Sequence, residues 1–167
     1  MRAAQVTTAR VNVRDTGATA LEARLRRATG ARVRVGVLEE ATKTESGEGQ
    51  GETRAPLTLL EVAALHEFGA PGAGIPQRSF IRAGVDENLE RIQTIQRTLG
   101  RQVLGGIELP VALDRLGAKV AAMLQNRISA GIEPPNSPET IERKGSSKPL
   151  VDTGQLKASI TWLVVPG

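Results

Sequence analysis

Two long apolar stripes separated by a pair of glycines restrict this chain more than any other feature of its sequence. Ile81, Val85, Leu89, Ile92, Ile95, Leu99 and Val103 recur at steps of four, four, three, three, four and four, the spacing of one helix face. Gly105-Gly106 interrupts the pattern, and Leu109, Leu113, Leu116, Val120, Leu124 and Ile128 then form a second stripe. Two amphipathic helices joined by a short glycine turn pack as an antiparallel hairpin. The hairpin is predicted over residues 79–129.

The period changes elsewhere. Val33, Val35 and Val37 alternate with Arg32, Arg34 and Gly36, and Ile160, Trp162 and Val164 alternate near the C-terminal end. Both runs read as half-buried strands. Upstream, Leu21, Leu25 and Ala28 sit at helical spacing, with Asp15 and Thr16 as candidate caps and Gly30 as a stop. Leu57, Leu60, Ala64 and Leu65 predict a short helix ending at Phe68-Gly69, where glycine tolerates a left-handed stop. Ala70 to Gln77 reads as an irregular loop. Ser137-Pro138-Glu139 offers a cap, a first-turn proline and an acid matched to the helix dipole, which predicts a short helix through Arg143.

The fold expected is α+β: one domain over 1–167, a small, mostly antiparallel sheet packed on a long helical hairpin, with mobile loops. Residues 1–16 read as an N-terminal arm and 131–149 as a loop. Residues 42–56, polar and glycine-spaced, read as a mobile loop because they offer no side chain fit for a core. At 167 residues a core needs no staples. It must be aliphatic, since Phe68, Phe80 and Trp162 are the only aromatics. The absence of cysteine excludes disulfides and thiolate metal sites, as suits folding in a reducing cytoplasm. No apolar run approaches the roughly 20 residues of a membrane span, so no membrane partner is expected.

Charge is unevenly spread. Residues 1–34 hold eight arginines against Asp15 and Glu22, a balance of +6, which leaves 14 basic against 16 acidic residues, or −2, for the remainder. Arg24, Arg26, Arg27, Arg32 and Arg34 are therefore the candidates for contact with DNA phosphates or an acidic partner. A solvated helix-and-strand face accounts for the same pattern.

Catalytic chemistry finds little support. Asp-Thr-Gly occurs at Asp15 and at Asp152, as in the paired carboxylates of aspartic proteases. However, Gln155 follows the second glycine where such an enzyme needs a small residue, and the first copy leads into an arginine-rich helix. A hydrolase centred on Asp152 stays as a rival to be tested by Asp152→Asn. His66, the only histidine, reads as a helix C-terminal residue interacting with the dipole. The runs Gly47, Gly49, Gly51 and Gly69, Gly72, Gly74 lack phosphate-loop spacing. No cofactor, metal or catalytic residue is expected.

Two stretches read together carry a family resemblance. The first is Ala64-Leu65-His66-Glu67-Phe68-Gly69 followed by Ile75-Pro76-Gln77-Arg78-Ser79-Phe80-Ile81-Arg82. The second is Thr140 to Lys144 followed by Pro149-Leu150-Val151-Asp152-Thr153-Gly154-Gln155-Leu156-Lys157-Ala158-Ser159-Ile160. In this order, around a helical hairpin, they resemble tailed-phage tail-completion and head–tail joining (neck) proteins of the HK97 gp10-like and virion-morphogenesis groups. Ser79 departs from the proline usual in that motif.

The resemblance implies fold-keeping roles for Glu67, Phe68, Gly69, Pro76, Arg78, Phe80, Asp152, Thr153, Gly154 and Leu156. Gly69 would end a helix, Pro76 stiffen a turn and Phe80 seat the long helix. Asp152 or Thr153 would cap the segment holding Leu156. It further implies a virion protein of the neck, assembled in the host cytoplasm and acting as a ring of copies, a hexamer among the options. Its partners would be the capsid connector and the tail-terminator or tail-tube proteins, around the DNA path. A small basic DNA-binding or packaging accessory is the alternative.

Overall fold

The structure, a computed structural model, describes residues 17–38, 57–136, Pro138, Glu142 and 154–167. Its elements run α1 (Ala18–Ala28), β1 (Arg32–Val37), α2 (Leu59–Phe68), a 3-10 turn (Pro71–Ala73), α3 (Arg82–Glu87), α4 (Leu89–Leu104), α5 (Leu109–Ala130), α6 (Gln155–Ala158) and β2 (Ile160–Val165). The chain is α+β, as its periodicities predict. The two alternating segments pair antiparallel, with Val33 opposite Val164, Val35 opposite Trp162 and Val37 opposite Ile160. Their shared register lines the apolar side chains along one face, because side chains on a strand repeat every two residues.

That face meets α5, which packs on both strands and carries α4 on another side. Gly117 marks the close approach: a Cβ there would lie 2.4 Å from Cδ1 of Trp162. The indole nitrogen of Trp162 donates to Asp114 Oδ1 at 2.8 Å, fixing the ring across the helix. Gly117→Ala is expected to lower stability by about 2 kcal/mol, since an overpacked contact forces the helix and the indole apart. Chemical denaturation, read by Trp162 fluorescence, checks this.

The hairpin forms as predicted, with one correction. The long first helix is two helices, because the chain breaks at Asn88 (φ −106, ψ 11), whose side-chain amide donates to Gly84 O at 2.9 Å. An asparagine that bonds backbone locally offers the chain an alternative to the helix ladder. Beyond the break Ile92 and Leu99 are buried while Leu89 is exposed. Gly105 caps α4, and Gly106, at φ +116, turns the chain into α5. Leu116, Val120, Leu124 and Ile128 of the second stripe are all buried.

Other expectations need revision. The N-cap of α1 is Gly17, at φ +107 and with no side-chain cap bond, in place of Asp15 or Thr16, which lie outside the described residues. The stripe Leu21 and Leu25 stays exposed, so α1 lies outside the core. Helix α2 begins at Leu59, and its buried residues are Ala63 and Glu67, whereas Leu57 and Leu60 are exposed. Ala70 to Gln77 is more ordered than an irregular loop, because Ala70 and Ile75 pair across the 3-10 turn. The arm 1–16 and the loop 42–56 lie outside the described residues. So do most of 137–149, though Pro138 and Glu142 are helical.

Candidate functional site

The end of α2 and the start of α3 are joined by one carboxylate. Glu67 shares an α2 face with Ala63, four residues earlier, and that face turns inward. Its Oε2 accepts from the backbone N–H groups of Phe80 (2.8 Å) and Ile81 (2.9 Å). Its Oε1 accepts from the Ser79 hydroxyl (2.7 Å) and the Arg82 N–H (3.1 Å). These are donors that the opening of a helix leaves without intrahelical partners, and a negative charge suits that end of the helix dipole. Glu67 is thus a cap supplied from another helix.

Ser79 completes the cap. While donating to Glu67 its oxygen accepts from the Ala83 N–H at 3.2 Å. A residue without a hydroxyl at this position would make neither bond. The two segments are also sewn by backbone: Arg78 N–H donates to His66 O at 2.7 Å, and the Gln77 amide to Glu67 O at 3.1 Å. Arg78, itself buried, directs Nε to Pro134 O (2.8 Å) and a terminal nitrogen to Pro135 O (3.0 Å). From the other side, Arg127 on α5 donates from Nε to Ser79 O at 3.3 Å, and its Nη1 forms an ion pair with Glu87. The clamp therefore ties α2, α3, α5 and the segment after α5.

Burial alone pushes the Glu67 carboxyl up. The Ser79 hydroxyl and the N–H groups of Ile81, Arg82 and Phe80 together outweigh it, and the net shift is downward. Burial likewise lowers the Arg78 guanidinium, which nevertheless keeps its charge at any ordinary pH. A carboxylate with four donors on its two oxygens is a good clamp and a poor general base. Because its folded-state pKa is depressed, Glu67 contributes stability above its ordinary value of 4.5. That contribution is lost as pH falls through the folded value. Wild type is expected to lose stability below about pH 4.5, with Glu67→Gln showing a flatter acid limb in thermal melts across pH.

The remaining motif residues fall into place unevenly. Phe80 is fully buried among Ala63, Leu124 and Ile128. Gly69 caps α2 at φ +74, ψ 167. Pro76 is exposed, and Phe68 is 67% exposed, an aromatic turned to solvent beside the clamp. Leu156 is buried, and the N-cap of its helix is Gly154 at φ +76, without a side-chain cap bond. Asp152 and Thr153 lie outside the described residues.

The basic candidates lie on α1 and β1. Arg24 and Arg26 on α1 and Arg32 and Arg34 on β1 are exposed, with Arg26 paired to Glu22 one turn earlier. The side chain of Arg27 is outside the described set. Sequence reading missed the Thr58–Glu61 capping box, in which Thr58 Oγ1 accepts from Glu61 N–H and the Glu61 carboxylate accepts from Thr58 N–H. The Thr-x-x-Glu spacing was the available signal. Among the described residues no group of three or more His, Asp or Glu could hold a metal ion, and no helix is long and apolar enough to cross a membrane.

Fold and clamp together give an α+β scaffold in which Glu67 and Ser79 lock α2 to the start of α3. No protein-family model, curated protein or solved structure matches this chain.

Proposed function

We propose that the chain is a structural assembly protein of a tailed-phage neck, which joins capsid connector to tail as an oligomeric ring at the head–tail interface of the virion. The observation that supports this reading is the use of the Glu67-to-Arg82 motif. Glu67 and Ser79 hold α2 against α3, and Arg78 holds the segment after α5. The recess of about 350 Å³ beside them, with Glu67 and Arg82 on its wall, is otherwise lined by apolar side chains such as Val37, Leu60, Phe68 and Ile81 and offers no nucleophile or general base. Specificity then rests on surfaces. The partners proposed are further copies of the chain, the connector, and the tail-terminator or tail-tube protein. Light scattering of the purified chain, alone and mixed with those neighbours, tests it. A ring of defined mass is expected, and a monomer in every mixture would overturn the reading.

A second reading, a small DNA-binding or packaging accessory, draws on the exposed Arg24, Arg26, Arg32 and Arg34. It expects duplex binding that weakens steeply with salt, with a slope set by the phosphates neutralised. A flat salt response removes it.

A further inference from the structure

The sheet is covered on one face by α5 and, among the described residues, holds only β1 and β2, each paired along a single edge. In an antiparallel pair, alternate residues of each strand turn their N–H and C=O groups away from the partner. Two rows of backbone donors and acceptors therefore point outward, one from each strand. Sheets commonly hold about four to six strands, and an isolated two-stranded ribbon is marginal in water.

The two edges differ. Strand β2, ITWLVV, has no charged side chain, and its Leu163 is 40% exposed. Strand β1, RVRVGV, carries Arg32 and Arg34, both exposed. Charged side chains guard an edge against pairing, and β2 lacks that guard. Each strand is covered at one end: Val37 is buried with Ala63 of α2, and the Ile160 carbonyl accepts from the Gln125 amide at 3.1 Å. No residue of 32–35 or 161–165 is buried. What such an edge recognises is extended backbone, since only another strand matches its spacing of donors and acceptors.

We propose that the outer edge of β2 pairs antiparallel with the outer edge of β1 in a second copy, so that one sheet continues from copy to copy. This interface presupposes the ring reading. A cyclic ring needs two different, complementary surfaces on every copy, and the sheet has one edge of each kind. Pairing β1 with β1 would set arginines of two copies together, and like charges across strands destabilise. Pairing β2 with β2 would relate two copies by a two-fold axis and stop there. Pairing β2 with β1 repeats the partnership inside the subunit. Val33 and Val35 of the arriving strand join Trp162 and Val164 on one face, and the stems of its arginines lie along Thr161, Leu163 and Val165 on the other.

Amide hydrogen exchange of the full chain, compared below and above the concentration at which it assembles, reads both edges. The neck neighbours are added where assembly needs them. Alternate amides within 32–35 and 161–165 are expected to exchange about tenfold or more slowly in the ring than in the monomer, as hydrogen-bonded strand amides do. Unchanged exchange, protection of β2 alone, or amides already slow in the monomer would overturn this interface. A charge test runs beside it, with circular dichroism to establish folding. Leu163 lies opposite Arg34 in its own sheet, so in the ring it stands between arginines of two copies. Leu163→Lys is expected to weaken assembly by about fivefold, the scale of a like-charged cross-strand pair, whereas Leu163→Glu retains it. Equal effects from the two variants would overturn the strand pairing while sparing the ring. Monomeric wild type in every mixture would overturn the ring reading itself.

Discussion

Replacing Glu67 by alanine is expected to cost about 3 kcal/mol, because it strips the partner from the N–H groups of Phe80, Ile81 and Arg82 at once. Loss of an ordinary cap costs about 1 kcal/mol, since water replaces the lost acceptor. Phe80 is fully buried, and its amide has no such replacement. The loss should appear in urea denaturation as a lower midpoint, with a fall of about 10 °C in melting temperature. Glu67→Gln keeps one acceptor oxygen but turns an amide NH2 toward donors, so it should recover only part of the loss. A Glu67→Ala protein within 1 kcal/mol of wild type would mean that the four hydrogen bonds contribute almost nothing.

Gly69→Ala should be comparably damaging for a different reason. At φ +74, ψ 167 the backbone occupies a region open essentially to glycine alone. A Cβ at this position would also stand 2.8 Å from the Gln77 backbone nitrogen and 3.1 Å from its Cα. Backbone cannot rotate aside as a side-chain end can. Conformational strain and collision add, and a loss of about 3–4 kcal/mol is expected. Because the crowded atoms belong to the segment that Glu67 caps, the double variant Glu67→Ala/Gly69→Ala should lose less than the sum of the single losses. Additive losses would show that the two residues stabilise the turn independently.

The sequence disclosed the parts of this architecture that depend on period. The stripes ending at Val103 and Ile128 became a hairpin, and the alternation at Val33–Val37 and Ile160–Val164 became the two strands. Burial that follows hydrophobicity was legible as well, as at Phe80. What stayed hidden depends on tertiary geometry. A glutamate within a short helix ordinarily reads as a solvated face, and nothing local to Glu67 shows that three amides beyond the Gly69 turn will meet it. Arg78 finds carbonyls 56 and 57 residues away at Pro134 and Pro135, a pairing no spacing rule reaches. The break at Asn88 was masked because Val85 and Ile92 keep helical phase across it. Leu21 and Leu25 were misleading in the opposite sense: their periodicity is real, but both side chains stay exposed.

The pairing of β1 with β2 also governs the order in which a protomer can be completed. Val37 lies opposite Ile160, 123 positions later, so β1 leaves the ribosome long before its partner exists. At about 5–20 residues per second that interval is roughly 6–25 seconds. Until β2 is made, the apolar face of β1, and that of α5 once it has emerged, have no sheet to close. The α4–α5 hairpin, built from near neighbours in the chain, can collapse early, whereas the two-stranded ribbon waits on a contact of high sequence separation. A nascent chain therefore holds its α4–α5 hairpin before its sheet, and β2 on arrival brings Trp162 over Gly117. Synthesis of β2 is in this sense a timer, since the sheet closes only when both strands are present.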